Sequence, residues 1–222
     1  MGQAHGVPIA SVLSLQDCLG ADHVREREVF VDVALDNGTV APFPNGLLTI
    51  DGVRMGPLQP SPEATPRPAP TGSLDIERPL QGLKVLDLGV IVVGAETGRL
   101  LADLGAEVIK VESQAFPDGS RQTYLKIGVS HGFGAGHRNK RSLGLNLRSD
   151  EGKALFVQLV AQADVVLSNF KPGTMESLGF GFEDLSAINP RLICVESSAF
   201  GSTGPWAKRM GYGPLVLSLI HI

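Results

Sequence analysis

The chain has 222 residues, 43% hydrophobic and 19% charged, with a formal net charge of −4 and a mean hydropathy of +0.12. That composition fits a folded globular chain and excludes a disordered or collagen-like one, and the mildly acidic balance argues against general nucleic-acid binding. No apolar run approaches the ~18 residues that cross a bilayer, and no basic segment leads into an apolar N-terminal core, so no membrane contact and a cytoplasmic setting are expected.

Residues 1–56 read as a small α+β segment. Ser14 with Asp17 three residues on is a weak capping box, so a short helix is expected to run to Gly20, and a second from Asp22 through Glu28. Val29, Val31, Val33 and Leu35 alternate as in a half-buried strand, and Asp36-Asn37-Gly38 predicts a type I′ hairpin turn. A helix pair and one hairpin bury little area, so the segment looks underbuilt for independent stability. Six prolines between Pro57 and Pro70 favour an extended polyproline conformation, and 57–78 is expected to be a linker, with a docking motif for a proline-binding domain as the alternative.

From Leu83 strands and helices alternate. Strands are expected at Lys84–Leu88, Val108–Val111, Ser142–Leu147, Val165–Leu167 and Leu192–Val195. A helix from Thr97 to Leu104 would bury Leu100, Leu101 and Leu104 and stop at Gly105. Another is capped by Ser149, carries Asp150 and Glu151 in its first turn, and would bury Leu155, Phe156, Leu159 and Val160. A short helix ends at Asn189-Pro190. This order predicts an α/β fold, a parallel sheet covered by helices with ligands at the carboxyl ends of its strands.

The first βα turn, Gly89 to Gly94, has the spacing of a P-loop, but Ala95 stands where the loop needs Lys, and Glu96 would repel phosphate, which excludes an NTPase. The dinucleotide fingerprint is missing too. Glu112 nonetheless ends the second strand where a ribose-binding acid would lie, and an NAD-dependent oxidoreductase stays as an alternative. Gly89, Gly94 and Gly98 equally suit a tight turn and close helix packing. Charge is uneven: residues 1–78 carry five Arg and ten acids, whereas 119–149 has no acid and holds Arg121, Lys126, Arg138, Lys140, Arg141 and Arg148. Within it, His137-Arg138-Asn139-Lys140-Arg141 could hold a polyphosphate through Arg138 and Lys140, or form a solvated surface. His131 and His137 lack metal spacing, and no metal is expected. Asn169-Phe170-Lys171, just after a strand, offers an amide, an aromatic face and a cation to a nucleotide. Cys18 and Cys194 form neither a disulfide framework nor a zinc set and are expected to be buried thiols.

Taken together, Pro79–Asp87, Leu101–Glu112, Arg138–Ser142, Ala163–Val166, Asn169–Gly173, Leu178–Phe180, Asn189–Ile193 and Phe200–Pro205 resemble the class III CoA-transferases (CaiB/BaiF), whose members include formyl-CoA and carnitine CoA-transferases and α-methylacyl-CoA racemase. Gly6–Ser14, Val24–Phe30 and Arg67–Pro70 are similar to the closing part of the same family. The resemblance implies a fragment of a tandem fusion: 1–56 as the end of a small domain, 57–78 as the joint and 79–217 as the front of an incomplete Rossmann-like, CoA-binding large domain, while 218–222 leave the family pattern and are expected to be an artefactual tail. It implies coenzyme A as acyl carrier, with Val92, Val93, Leu145, Asn146, Leu147, Arg148, Asn169, Phe170 and Lys171 at the CoA contacts. Arg148 and Lys171 would face phosphates, and Asn169 and Phe170 the adenosine or pantetheine.

In the family an Asp carboxylate attacks the acyl-CoA thioester, giving a mixed anhydride and releasing CoA, on the way to transferring CoA to a carboxylic acid. By resemblance that Asp lies beyond the position of Gly213, so no catalytic residue is expected in this chain. An interlocked family-like dimer is implied for the parent, which the fragment would not complete. Ser113, Ala95, His137 and Gly213 depart from residues common in the family. A racemase-like enzyme and a non-catalytic CoA-binding module are the alternatives.

Overall fold

The computed structural model of the chain describes residues 2–57, 75–121 and 129–213. Most of the expected linker, Lys126 and the expected tail lie outside the described residues. By contact the chain divides into two compact units, Met1–Thr71 with Ala199–Ile222, and Gly72–Ser198.

In the first unit, α1 (Leu15–Leu19) starts where Ser14 accepts a hydrogen bond from the Asp17 amide. Helix α2 (Asp22–Glu26) stops two residues short of the expected Glu28. Glu28 is left-handed (φ 48°), and the amides of Glu28 and Val29 turn back to the carbonyls of Arg25 and Val24. This is a Schellman closure with Glu at the position usually given to Gly, which the sequence pattern did not reveal. Strands β1 (Phe30–Ala34) and β2 (Val40–Pro44) form the expected hairpin. Its turn is not type I′: only Gly38 has positive φ, the Gly38 amide bonds Leu35 O, and Leu35 pairs with Thr39. That is a three-residue loop ending in a left-handed glycine. The type I′ geometry instead joins β3 (Thr49–Ile50) and β4 (Val53–Arg54), where Asp51 (φ 49°) and Gly52 (φ 79°) are both left-handed.

No apolar side chain among the described residues 2–57 is fully buried; only His23 and Asn45 are. His23 is held by the segment after Ala199. Trp206 N–H donates to its Nδ1 at 3.1 Å, its Nε2 lies 3.0 Å from Phe200 O, and the Trp206 ring stacks on it at 4.9 Å. Arg27 donates to Thr203 Oγ1, and the Gln3 amide bonds both backbone groups of Met210.

The second unit runs β5 (Lys84–Asp87), α3 (Val93–Asp103), β6 (Glu107–Glu112), α4 (His131–Gly136), β7 (Arg141–Gly144), α5 (Asp150–Val160), β8 (Val165–Ser168), α6 (Thr174–Leu178), α7 (Phe182–Ile188) and β9 (Ile193–Glu196). All five strands are parallel, in the order β7-β6-β5-β8-β9. This is the doubly wound, Rossmann-like α/β arrangement, with its switch point between β5 and β8.

Alternation along β5 sends Leu86 and Leu88 to one face, with Phe156, Val160, Val166, Met175, Phe180 and Leu185, and Val85 to the other, with Ala102, Val108, Val165 and Leu167. Helix α3 buries Gly94, Ala95, Gly98 and Ala102. Leu100 and Leu104, expected in the core, are exposed, because they lie on the face of α3 opposite the buried Gly94, Ala95, Gly98 and Ala102. On α5, capped by Ser149 as expected, Phe156 and Val160 are buried while Leu155 is exposed, one position off the apolar stripe. Strand β7 ends at Gly144, short of Leu147, and two helices, α6 and α7, stand where one was expected. Cys18 and Cys194 are unpaired and half-buried rather than buried. Among the described residues, no helix is long and apolar enough to cross a membrane, and no three His, Cys, Asp or Glu side chains are placed to hold a metal ion.

Candidate functional site at the carboxyl edge of the sheet

The carboxyl ends of β5 and β8 diverge at the switch point, and the chain after each makes the site. After β5, the loop Gly89-Val90-Ile91-Val92 leads into α3, which starts without a side-chain cap. After β8 comes Asn169, whose side chain crosses the switch point: its Oδ1 accepts from Val90 N–H at 2.8 Å and its Nδ2 donates to Val90 O at 3.0 Å. Gly89 and Gly94 face each other so closely that a Cβ on Gly94 would lie 2.4 Å from Gly89 Cα. The tight-turn reading of these glycines therefore holds.

Val92 and Val93, at the start of α3, are strongly exposed. Leu145 is buried and Leu147 half-buried in the core, whereas Asn146 and Arg148 between and after them are exposed. Phe170 packs partly on the core, and Lys171 is exposed. Across from Arg148, the loop after β6 presents Phe116, with the guanidinium 4.3 Å from the ring centroid. Beside this pair lies an open depression of about 400 Å³ lined by Ser113, Gln114, Ala115 and Asn146. Phe116 was not singled out from the sequence. Its position in the loop leaving a strand was the available signal.

Arg138 and Lys140 are placed differently. Arg138 chelates Asp103, the last residue of α3, which Arg99 and Asn139 also bind. Since α3 begins at the carboxyl edge and runs back for 11 residues, Asp103 and Arg138 stand ~16 Å away, at the amino end of the sheet. The Lys140 ammonium is buried and donates to Asp87 Oδ2 at 2.7 Å, to Ala95 O at 2.8 Å and toward His137 Nδ1 at 3.1 Å, which uses all three of its protons. Burial lowers its pKa, and the Asp87 carboxylate opposes that shift. Glu112 is likewise committed: Arg121 binds both its oxygens and the Asp118 amide binds one, holding its carboxyl low against the effect of burial. No free carboxylate is left there for a ribose, which removes the main support for an NAD enzyme.

Sequence reading missed two buried charges under the loop, Lys110 and Asp118, both without solvent exposure. The Lys110 ammonium lies 3.2 Å from Asp118 Oδ2 and also donates to Gly89 O. Asp118 accepts from the Ile91 amide at 3.1 Å and from the Ser120 amide and hydroxyl. Burial would raise its carboxyl, but the nearby His137, hydrogen bonds from Ser120 and the charge of Lys110 hold it far below the usual carboxylate range.

A family model described as CoA-transferase family III matches residues 80–220. A probable CoA-transferase of Mycobacterium tuberculosis is 48% identical over 226 residues, covering 97% of this chain and 28% of that protein. The succinyl-CoA–D-citramalate CoA-transferase of Chloroflexus aurantiacus is 44% identical over 140 residues, 62% of this chain and 35% of its own length. The crystal structure of a CaiB/BaiF family protein from Brucella suis superposes with a TM-score of 0.60 at 42% identity, covering 64% of this chain and 39% of that one. The chain thus spans about a third of the length of these relatives.

Proposed function

The chain belongs to CoA-transferase family III, and we propose that it supplies the CoA-binding half-site of an enzyme that moves CoA between an acyl-CoA and a carboxylic acid. The observation that carries this reading is the carboxyl edge of the sheet, where Val92, Val93, Asn146, Arg148, Asn169, Phe170 and Lys171 are gathered from three separate loops. Arg148 and Lys171 supply cations for the phosphates, the exposed valines an apolar wall, and the uncapped start of α3 a partial positive charge. The depression beside Asn146 suits a flat or chain-like portion of the cofactor. Leu145 and Leu147 act from the core, by fixing the exposed residues between and after them.

We assign no nucleophile to any residue of the chain. Residues 1–56 read as the end of one repeat and 79–217 as the front of the next, joined by 57–78. Two facts support a tandem organisation. The family model leaves residues 1–79 unmatched, while the M. tuberculosis relative aligns with nearly the whole chain in a single collinear run. The first segment also has no buried apolar side chain among its described residues, and little core of its own.

Calorimetric titration of the purified chain with CoA, and separately with NAD, tests the reading. CoA is expected to bind, and Arg148→Ala and Lys171→Ala each to weaken it roughly tenfold or more, from charged hydrogen bonds of ~1.5–3 kcal/mol. Arg138→Ala is expected to leave affinity unchanged. Binding of NAD in preference to CoA, or insensitivity to both Arg148 and Lys171, overturns it.

A further inference from the structure

Ile91 has φ +60°, a left-handed conformation that a β-branched residue adopts only under constraint from its surroundings. The constraint is visible atom by atom. Gly89 N–H is held by Asp87, Gly89 O by Lys110, both polar groups of Val90 by Asn169, and Ile91 N–H by Asp118. Behind these contacts stand two buried acids and two buried ammonium groups. Asp87 pairs with Lys140, Asp118 with Lys110, and His137 lies between the pairs. His137 Nδ1 faces the Lys140 ammonium at 3.1 Å, and its buried Nε2 lies 3.3 Å from Asp118 Oδ2 without completing a hydrogen bond. The set matches two acids with two ammonium groups, and the His137 imidazole lies between the pairs.

Such a cluster is a poor way to stabilise a core, since well-packed apolar side chains of similar size do as well or better. What apolar side chains cannot do is bind the backbone of a loop. We infer that Asp118 and Lys110, with Asp87, His137 and Lys140 behind them, are positioning residues. They hold Ile91 left-handed so that Val92 and Val93 project from the carboxyl edge in the geometry that receives CoA. The inference rests on the CoA-binding reading given above. All five side chains are buried. They act through the loop.

The test is a double-mutant cycle on the full chain. Asp118→Asn keeps the shape and one acceptor oxygen but removes the charge facing Lys110, and Ile91→Gly removes the need to enforce a left-handed residue. The Ile91 amide is expected to be protected from hydrogen exchange in the wild type and to exchange at least tenfold faster in D118N, with the β8 amides of Val166 and Leu167 unchanged. CoA affinity is expected to fall by about the same factor in D118N, and by clearly less when D118N is made in the I91G background. A merely structural ion pair gives equal losses in both backgrounds. Equal losses, or an Ile91 amide still protected in D118N, overturn the inference. If D118N does not fold, Ser120→Ala, which removes a donor to the same carboxylate, is read by the same two measurements. If the wild-type chain does not bind CoA, the functional reading fails, and the amide exchange alone decides the positioning role.

Discussion

Gly98 lies in the middle of α3, where Ala is favoured over Gly by ~1 kcal/mol on helix propensity alone. The structure predicts the opposite sign for Gly98→Ala. A Cβ there would sit 2.3 Å from Asp87 Oδ2, 2.8 Å from Asp87 Cγ and 2.9 Å from Lys140 Nζ. The carboxylate cannot swing aside, because its Oδ1 holds the Gly89 amide and its Oδ2 holds Lys140. Either α3 moves off the sheet, at the ~1–3 kcal/mol typical of overpacking, or the buried pair opens, at ~3–5 kcal/mol. Set against the propensity gain, the net loss is ~0–2 kcal/mol by the first route and ~2–4 kcal/mol by the second. Urea unfolding followed by far-ultraviolet circular dichroism reads it directly, as a lower midpoint with unchanged slope. A variant that is more stable than wild type by ~1 kcal/mol would show that propensity governs this position and that the Asp87–Lys140 pair does not occupy the space beneath α3.

Three further outcomes are expected. Phe156→Ala, at a side chain with no solvent exposure, should cost ~3–5 kcal/mol in the same unfolding assay, since neighbours on β5, α6 and α7 cannot all collapse into the void. Asn169→Asp keeps size but sets a carboxylate oxygen against Val90 O in place of a donor, so ~1–3 kcal/mol of stability and most of the CoA affinity should be lost, whereas the amide-bearing wild type retains both. His23 has its pKa lowered, by burial first and then by the charges of Arg27 and Arg209, against the opposing Phe200 carbonyl and Glu26. Its contribution is therefore fully present above its ordinary value of ~6.5 and is lost as pH falls below that, toward the lowered folded value. Trp206, the one tryptophan of the chain, stacks on His23 and should report the change in its emission, and no such transition should survive in His23→Gln.

The sheet was legible because its strands are short apolar runs separated by helices, a pattern that fixes element type and parallel pairing but leaves the strand order to the structure. Helix α5 was readable from Ser149 and its acidic first turn, since capping is a local interaction. What was not legible depends on partners far away in sequence. Lys110 sits in an ordinary strand and Lys140 in a basic run, and a lone charge gives no sign that it will be buried against an acid 53 positions distant, as Lys140 is against Asp87. The same limit misplaced Leu100 and Leu104: the apolar spacing identified the helix, but the face laid on the sheet is the one whose small residues, such as Gly98, fit over the buried Asp87–Lys140 pair. Turn type failed for a different reason. Asn37-Gly38 and Asp51-Gly52 are equivalent in composition, and the number of residues left between paired strands decided which became type I′.

The first unit raises a separate physical question, how two small hairpins and two short helices stay folded when Leu47, Leu48, Val12 and Leu15 are largely exposed. Apolar burial within residues 2–57 cannot supply the several kcal/mol that a module of this size needs. The remaining source is the clasp made by the segment from Ala199 to Gly213, which contacts residues 176 to 207 positions away through the His23 ring, Arg27 and Gln3. Each hydrogen bond is worth ~1 kcal/mol net, and the His23–Trp206 stack adds ~0.5–1.5 kcal/mol. Together these amount to several kcal/mol. Trp206→Ala should therefore disorder the first unit while leaving the sheet of the second intact. In amide spectra, the resonances of β1 and β2 should collapse toward random-coil positions as those of β5 and β8 keep their dispersion. Retention of the β1–β2 hairpin signals in that variant would place the stabilisation of the first unit somewhere other than in this clasp.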